Sequence, residues 1–188
     1  MNKNHLFSAI FLSKRLLIST LTLSGCLFTG VQALTWAGSN PGLTIFSGVE
    51  NRKDILDYHL DFNGRPRQVG ERYRLYIPGK KLTQGASKFF ISYLERPKFD
   101  GKFNLDKVEV RVDGESLPLK EVYWDKESRV VEIELETPIE ASQKAEIVFS
   151  GVKNPSNGTY YLICDVLSSG DIPIRMYVGT WIVSIERV

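Results

Sequence analysis

Cysteine and histidine are scarce, with two of each among 188 residues. Cys26 lies in the opening segment, so Cys164 stands alone in the rest of the chain and no intrachain disulfide is expected. His59 is the sole histidine beyond His5. That excludes a multi-histidine zinc site, and any Ser-His-Asp or Cys-His arrangement that does not use it. Long apolar runs are also missing. After the opening segment each one is cut by charge or glycine, well short of the about 20 residues that a spanning helix needs. Acid is absent from the first 33 residues, which contain Lys3, Lys14 and Arg15 and then run apolar from Leu16 to Leu23. A positive start, a short apolar stretch and a small-residue exit form a secretory signal, predicted over residues 1–33.

Two processing sites compete. Val31-Gln32-Ala33 has the small-x-small form of an ordinary cleavage site and gives a mature start at Leu34. Leu23-Ser24-Gly25-Cys26 has the form of a bacterial lipobox, in which Cys26 is acylated and becomes the first residue. Membrane contact is expected only in that second case, where two acyl chains hold a protein that one binds marginally. Removing three bases and no acids leaves 21 bases against 22 acids, a net charge of −1. The basic balance of the whole chain therefore belongs to the signal, and a nucleic-acid partner is not expected.

Beyond a short lead at residues 34–41, the dominant period is two. Leu56, Tyr58, Leu60 and Phe62 alternate with Asp57, His59 and Asp61; Tyr73, Leu75 and Ile77 alternate with Arg72, Arg74 and Tyr76. Val108, Val110 and Val112 do the same with Glu109 and Arg111. Asn63-Gly64, Asp113-Gly114 and Asp125–Ser128 punctuate these runs as turns. Eight to ten short strands at this spacing predict an all-β fold. The expectation is a single antiparallel β-sandwich over residues 42–188, with an immunoglobulin-like arrangement left open. In Tyr160–Val166, Cys164 reads as a small buried hydrophobe.

No catalytic set emerges, and no cofactor is expected. Between Arg65 and Lys81 six bases face Glu71 alone, and from Asp100 to Glu146 thirteen acids outnumber seven bases. Within the first region Arg72, Arg74, Lys80 and Lys81 are the candidate anion-binding residues, for anionic lipid, acidic polysaccharide or an acidic protein. The plainer reading is that strands carry charge on their wet faces. Asp57, His59 and Asp61 share one strand face and are candidate metal ligands. At ~3.3 Å per residue they spread over about 13 Å, so one ion takes at most two of them. Glu132, Glu134 and Glu136 form a like-charged row without the spacing of a known calcium loop. A hydrolase with dispersed carboxylates is the remaining alternative, although nothing singles out a pair.

Several segments resemble a known family. They are Val152-Lys153-Asn154-Pro155, Gly158–Leu162, Tyr177–Ile185, Arg72–Pro78 with Lys80-Lys81-Leu82, and Phe103 ahead of Val108. Together they resemble exported cyanobacterial proteins catalogued as a domain of unknown function, over residues 42 to 186. The resemblance implies a secreted all-β domain in the periplasm or envelope, and it carries no catalytic or binding residue with it. The leading expectation is a non-enzymatic binding or structural module whose partner is an envelope protein or polysaccharide. Metal handling through His59 is the alternative.

Overall fold

Alternation of apolar and polar side chains, every second residue pointing the same way, builds two sheets that face one another across a shared core. The computed structural model describes residues 51–187, all of which fall within the unit Gly42–Val188. The predicted signal at 1–33, the lead at 34–41 and Cys26 lie outside the described residues.

The strands are β1 (Ile55–Leu56), β2 (Tyr58–Leu60), β3 (Val69–Ile77), β4 (Ala86–Tyr93), β5 (Val108–Val112), β6 (Glu115–Leu117), β7 (Leu119–Asp125), β8 (Val130–Ile139), β9 (Ala145–Lys153), β10 (Gly158–Leu167) and β11 (Arg175–Ile185). Three short 3-10 turns, Arg52–Asp54, Gly79–Lys81 and Leu105–Lys107, are the only helical pieces among the described residues. No described helix is long and apolar enough to cross a membrane. One sheet runs β1-β11-β10-β4-β8-β7 and the other β2-β3-β9-β5-β6. All pairings are antiparallel except β1 with β11.

The core draws on both sheets. Phe89, Ile91, Ile133, Leu162 and Trp181 come from the first, and Leu75, Ile77, Val110, Ile147 and Phe149 from the second. Cys164 is fully buried in β10, as expected, and burial holds its thiol well above the ordinary range. Phe103, ahead of β5, stacks on Phe99 and meets Phe149, with ring centroids 4.9 Å apart in both pairs.

The predicted single strand from Leu56 to Phe62 is two. Ile55–Leu56 joins the sheet of β11, whereas Tyr58–Leu60 joins the sheet of β3. The chain changes sheets at Asp57, whose carbonyl accepts Tyr76 N at 3.0 Å. Period two cannot reveal such a crossing, because Leu56 and Tyr58 look inward from either sheet.

Glycine matters most at Gly179. A Cβ there would lie 2.6 Å from Leu56 Cγ and 2.7 Å from Asp54 O. Its neighbour Val178 is the extra residue of a bulge, since Cys164 pairs with Gly179 and Asp165 with Tyr177. The missing side chain admits the crossing strand, and two residues on Trp181 fills the core.

Candidate functional site

The predicted anion-binding bases turn out to be unequally free. On the outer face of β3, Arg74 donates to Asp61 through Nε at 2.8 Å and to Glu146 through Nη1 at 3.1 Å. Arg72 reaches Asp61 at 3.3 Å and Ser150 Oγ at 3.1 Å. Lys81 donates to Asp54 at 2.6 Å. Of the four, Lys80 alone has no ion-pair partner among the described residues. Half of the six bases between Arg65 and Lys81 are thus neutralised in space, by Asp54 from a 3-10 turn, Asp61 from the turn after β2 and Glu146 from β9.

The same geometry governs the candidate metal ligands. Asp61 sits between the Arg74 and Arg72 guanidiniums, and the hydrogen bonds from Arg74 hold its carboxyl below the usual range. His59 is 63% exposed and 3.8 Å from Asp61, while Asp57 lies exposed at the sheet crossing. No group of three His, Cys, Asp or Glu residues comes together among the described residues in a way that would hold an ion. In the glutamate row of β8, Glu132 and Glu134 are likewise engaged by lysines, whereas Glu136 is exposed without an ion-pair partner among the described residues. Glu134 accepts from Lys120 and Lys88, in that order of effect, and its carboxyl is lowered to about 2.

Free cations gather elsewhere. Lys53, Lys80 and Lys144 come from three separate segments and line, with Tyr76, a groove of about 460 Å³; Tyr76 is 38% exposed. None of the three lysines has an ion-pair partner among the described residues. Arg111, also in the lining, is engaged by Glu109 at 2.7 Å. Exposed Ile55 and half-buried Pro78 also line the groove, as do the acids Asp57, Asp113 and Glu146. This arrangement attracts anions and offers an aromatic face to stack against. Sequence reasoning found Lys80 but missed Lys53 and Lys144, which are remote along the chain and carry no local pattern.

Every buried side-chain nitrogen and oxygen among the described residues has a hydrogen-bond partner. The most elaborate case joins two of the motifs that carried the resemblance. Tyr73 donates its hydroxyl to Asn154 Oδ1 at 2.9 Å, and Asn154 Nδ2 donates to Arg65 O at 2.9 Å. Burial, with the Glu71 charge nearby, pushes the Tyr73 hydroxyl far above its ordinary range.

The model of a family described as protein of unknown function (DUF2808) matches residues 43–185. Among curated proteins none matches the sequence. Similar solved structures include BslA, a bacterial hydrophobin, at 11% identity and a TM-score of 0.48, over 70% of this chain and 92% of that one. A Nocardia farcinica protein described as having an immunoglobulin-like fold is similar at 10% identity and a TM-score of 0.44, over 71% and 99%. The collagen-binding domain of a Staphylococcus aureus adhesin follows at 9% identity and a TM-score of 0.39, over 71% and 97%.

Proposed function

We propose that this chain, which belongs to the DUF2808 family, is an exported, envelope-associated binding module that holds an anionic partner without catalysing a reaction on it. The observation that carries the reading is the convergence of unpaired Lys53, Lys80 and Lys144 on one groove with exposed Tyr76. Neighbouring Arg74, Arg111 and Lys81 are by contrast engaged by carboxylates. Export is supported by the acid-free, lysine-led opening and its short apolar stretch. The titratable groups deepest in the fold serve structure: Glu71 secures a loop and the Cys164 thiol is held in its neutral form.

Association should be electrostatic and therefore salt-sensitive, because exposed charges are screened beyond about 8 Å at physiological ionic strength. In co-sedimentation with envelope fragments, the wild type is expected in the pellet at low salt and in the supernatant at high salt. The triple variant Lys53→Ser, Lys80→Ser, Lys144→Ser is expected to bind at least about tenfold more weakly, since each base near an anionic surface contributes about 1 kcal/mol. Pelleting that is equal for variant and wild type at every salt concentration would remove the proposal.

A further inference from the structure

We infer a second site, at the opposite end of the strands, that binds a linear acidic polysaccharide. It uses none of the residues of the Tyr76 groove and stands or falls independently of that reading. β3 begins there, β9 ends, β10 begins and β11 ends. Arg65 and Arg67, from the loop between β2 and β3, meet Arg187 beyond β11 and Ser156-Asn157 from the turn between β9 and β10. The groove they line measures about 770 Å³ and has no acidic residue in its wall. None of the three arginines is ion-paired among the described residues. Arg67 Nη2 reaches Ser156 Oγ at 3.5 Å, and Asp100, whose carboxyl feels the Arg67 charge, is engaged by the same serine. Asp100 accepts Ser156 N at 2.7 Å and Ser156 Oγ at 2.6 Å.

The loop that presents the arginines is built to stay put. Glu71, fully buried, accepts Phe62 N at 2.8 Å, Gly64 N at 2.9 Å and Arg72 N at 3.0 Å. Asn154, equally buried, donates its side-chain amide to Arg65 O at 2.9 Å and its backbone N–H to Gln68 O at 2.8 Å. Arg67 N donates to Pro155 O at 3.0 Å. Glu186 N donates to Gly64 O at 3.2 Å and so brings Arg187 to the same loop. Arg67 itself lies at φ 60, a left-handed backbone that costs a side-chain-bearing residue energy and that persists only where its surroundings impose it. Two buried polar side chains and a strained backbone together fix the segment from which two exposed arginines project. Preorganisation of this kind suits a binding edge.

A second basic depression starts two residues beyond Arg67, at Val69. Val69 pairs with Lys153, and Lys102 bridges to Lys153 by backbone hydrogen bonds of 2.9 Å in both directions. Those residues line this depression of about 710 Å³ together with Lys126, Asp106 and Tyr123, the last 54% exposed, so that three lysines there outnumber one acid. Lys126 lies 5.0 Å from the Trp124 ring, which lines the same depression. The track thus offers guanidinium forks for carboxylate or sulfate groups, an amide at Asn157 for hydroxyls, and an aromatic face for a sugar ring. Pro66 is the sole apolar residue in the arginine groove, so it lacks the desolvated anchor of a protein interface and the apolar face of a membrane-inserting loop. Positive charge repeated over two depressions linked by the Arg67–Val69 segment matches a polymer.

The test is calorimetric titration of the mature chain with a uronic-acid hexasaccharide, beside poly-glutamate and anionic lipid vesicles. Arg65→Gln, Arg67→Asn and Arg187→Gln together are expected to weaken hexasaccharide binding at least about tenfold, Asn being chosen because it tolerates the left-handed backbone. Tyr123→Ala is expected to weaken it about fivefold or more while leaving poly-glutamate binding unchanged. The Lys53, Lys80, Lys144 variant should bind the hexasaccharide as the wild type does, and thermal midpoints of all variants should match. Unaltered affinity in the arginine variant would overturn the inference, as would loss of binding in the lysine variant alone. Tighter binding of poly-glutamate or vesicles than of the hexasaccharide would also overturn it, by naming a different class of partner.

Discussion

Glu71→Ala is expected to destabilise the domain by about 3–5 kcal/mol, a value that puts it among the costliest single substitutions a small domain shows. The reason is geometric. One fully buried carboxylate accepts three backbone N–H groups, those of Phe62, Gly64 and Arg72, and Asn154 Nδ2 approaches it at 3.4 Å. Truncation leaves the buried Gly64 N–H and the part-buried Phe62 and Arg72 N–H groups without this acceptor, and each unsatisfied buried group costs about 1–3 kcal/mol. Glu71→Gln keeps one carbonyl oxygen but turns an NH2 toward other donors, so a loss of about half that size is expected. Urea unfolding of the three proteins checks the order. A Glu71→Ala variant within about 1 kcal/mol of the wild type would contradict this role for the carboxylate in the loop.

Trp181→Ala is the second large effect, expected at about 3–5 kcal/mol from the lost burial and the cavity left behind. Trp181 is fully buried between the sheets, and its Nε1 donates to the carbonyl of Tyr76 across the sandwich at 3.2 Å. The residue therefore contributes volume and an inter-sheet hydrogen bond at once. Trp181→Phe retains most of the volume and loses the donor, so about 1–2 kcal/mol separates it from the wild type. Equal midpoints for the Phe and Ala variants in denaturant would show that packing is not what Trp181 supplies.

These two sites show how unevenly structure was written into the sequence. Alternation located the strands through Tyr73-Leu75-Ile77, Val108-Val110 and Leu162-Cys164-Val166, because a half-buried strand must repeat every two residues. The turns at Asn63-Gly64 and Asp113-Gly114 were equally legible, and all four residues adopt positive φ. The crossing at Asp57 was not, since one residue changes sheets without disturbing the pattern on either side. Charge was read least well. Arg72 and Arg74 look like free bases until Asp61 and Glu146 are placed beside them by a hairpin and a neighbouring strand. Lys53 and Lys144 sit alone in sequence and meet only when β3, β9 and the first 3-10 turn are assembled. Glu71 appeared as a lone acid among bases; its role needed the loop it closes.

Unpaired bases at the ends of the sandwich are expected to bind anions, whereas the paired arginines on the face of β3 are not. Nuclear magnetic resonance titration of the 15N-labelled mature chain with an acidic oligosaccharide reads this difference residue by residue. Perturbations are expected at Arg65, Arg67, Asn157 and Tyr123, and around Lys80 and Lys144 with a polymeric anion, while Arg72 and Arg74 stay unmoved. Shifts centred on Arg72 and Arg74, or a spectrum that no anion changes at low salt, would contradict it.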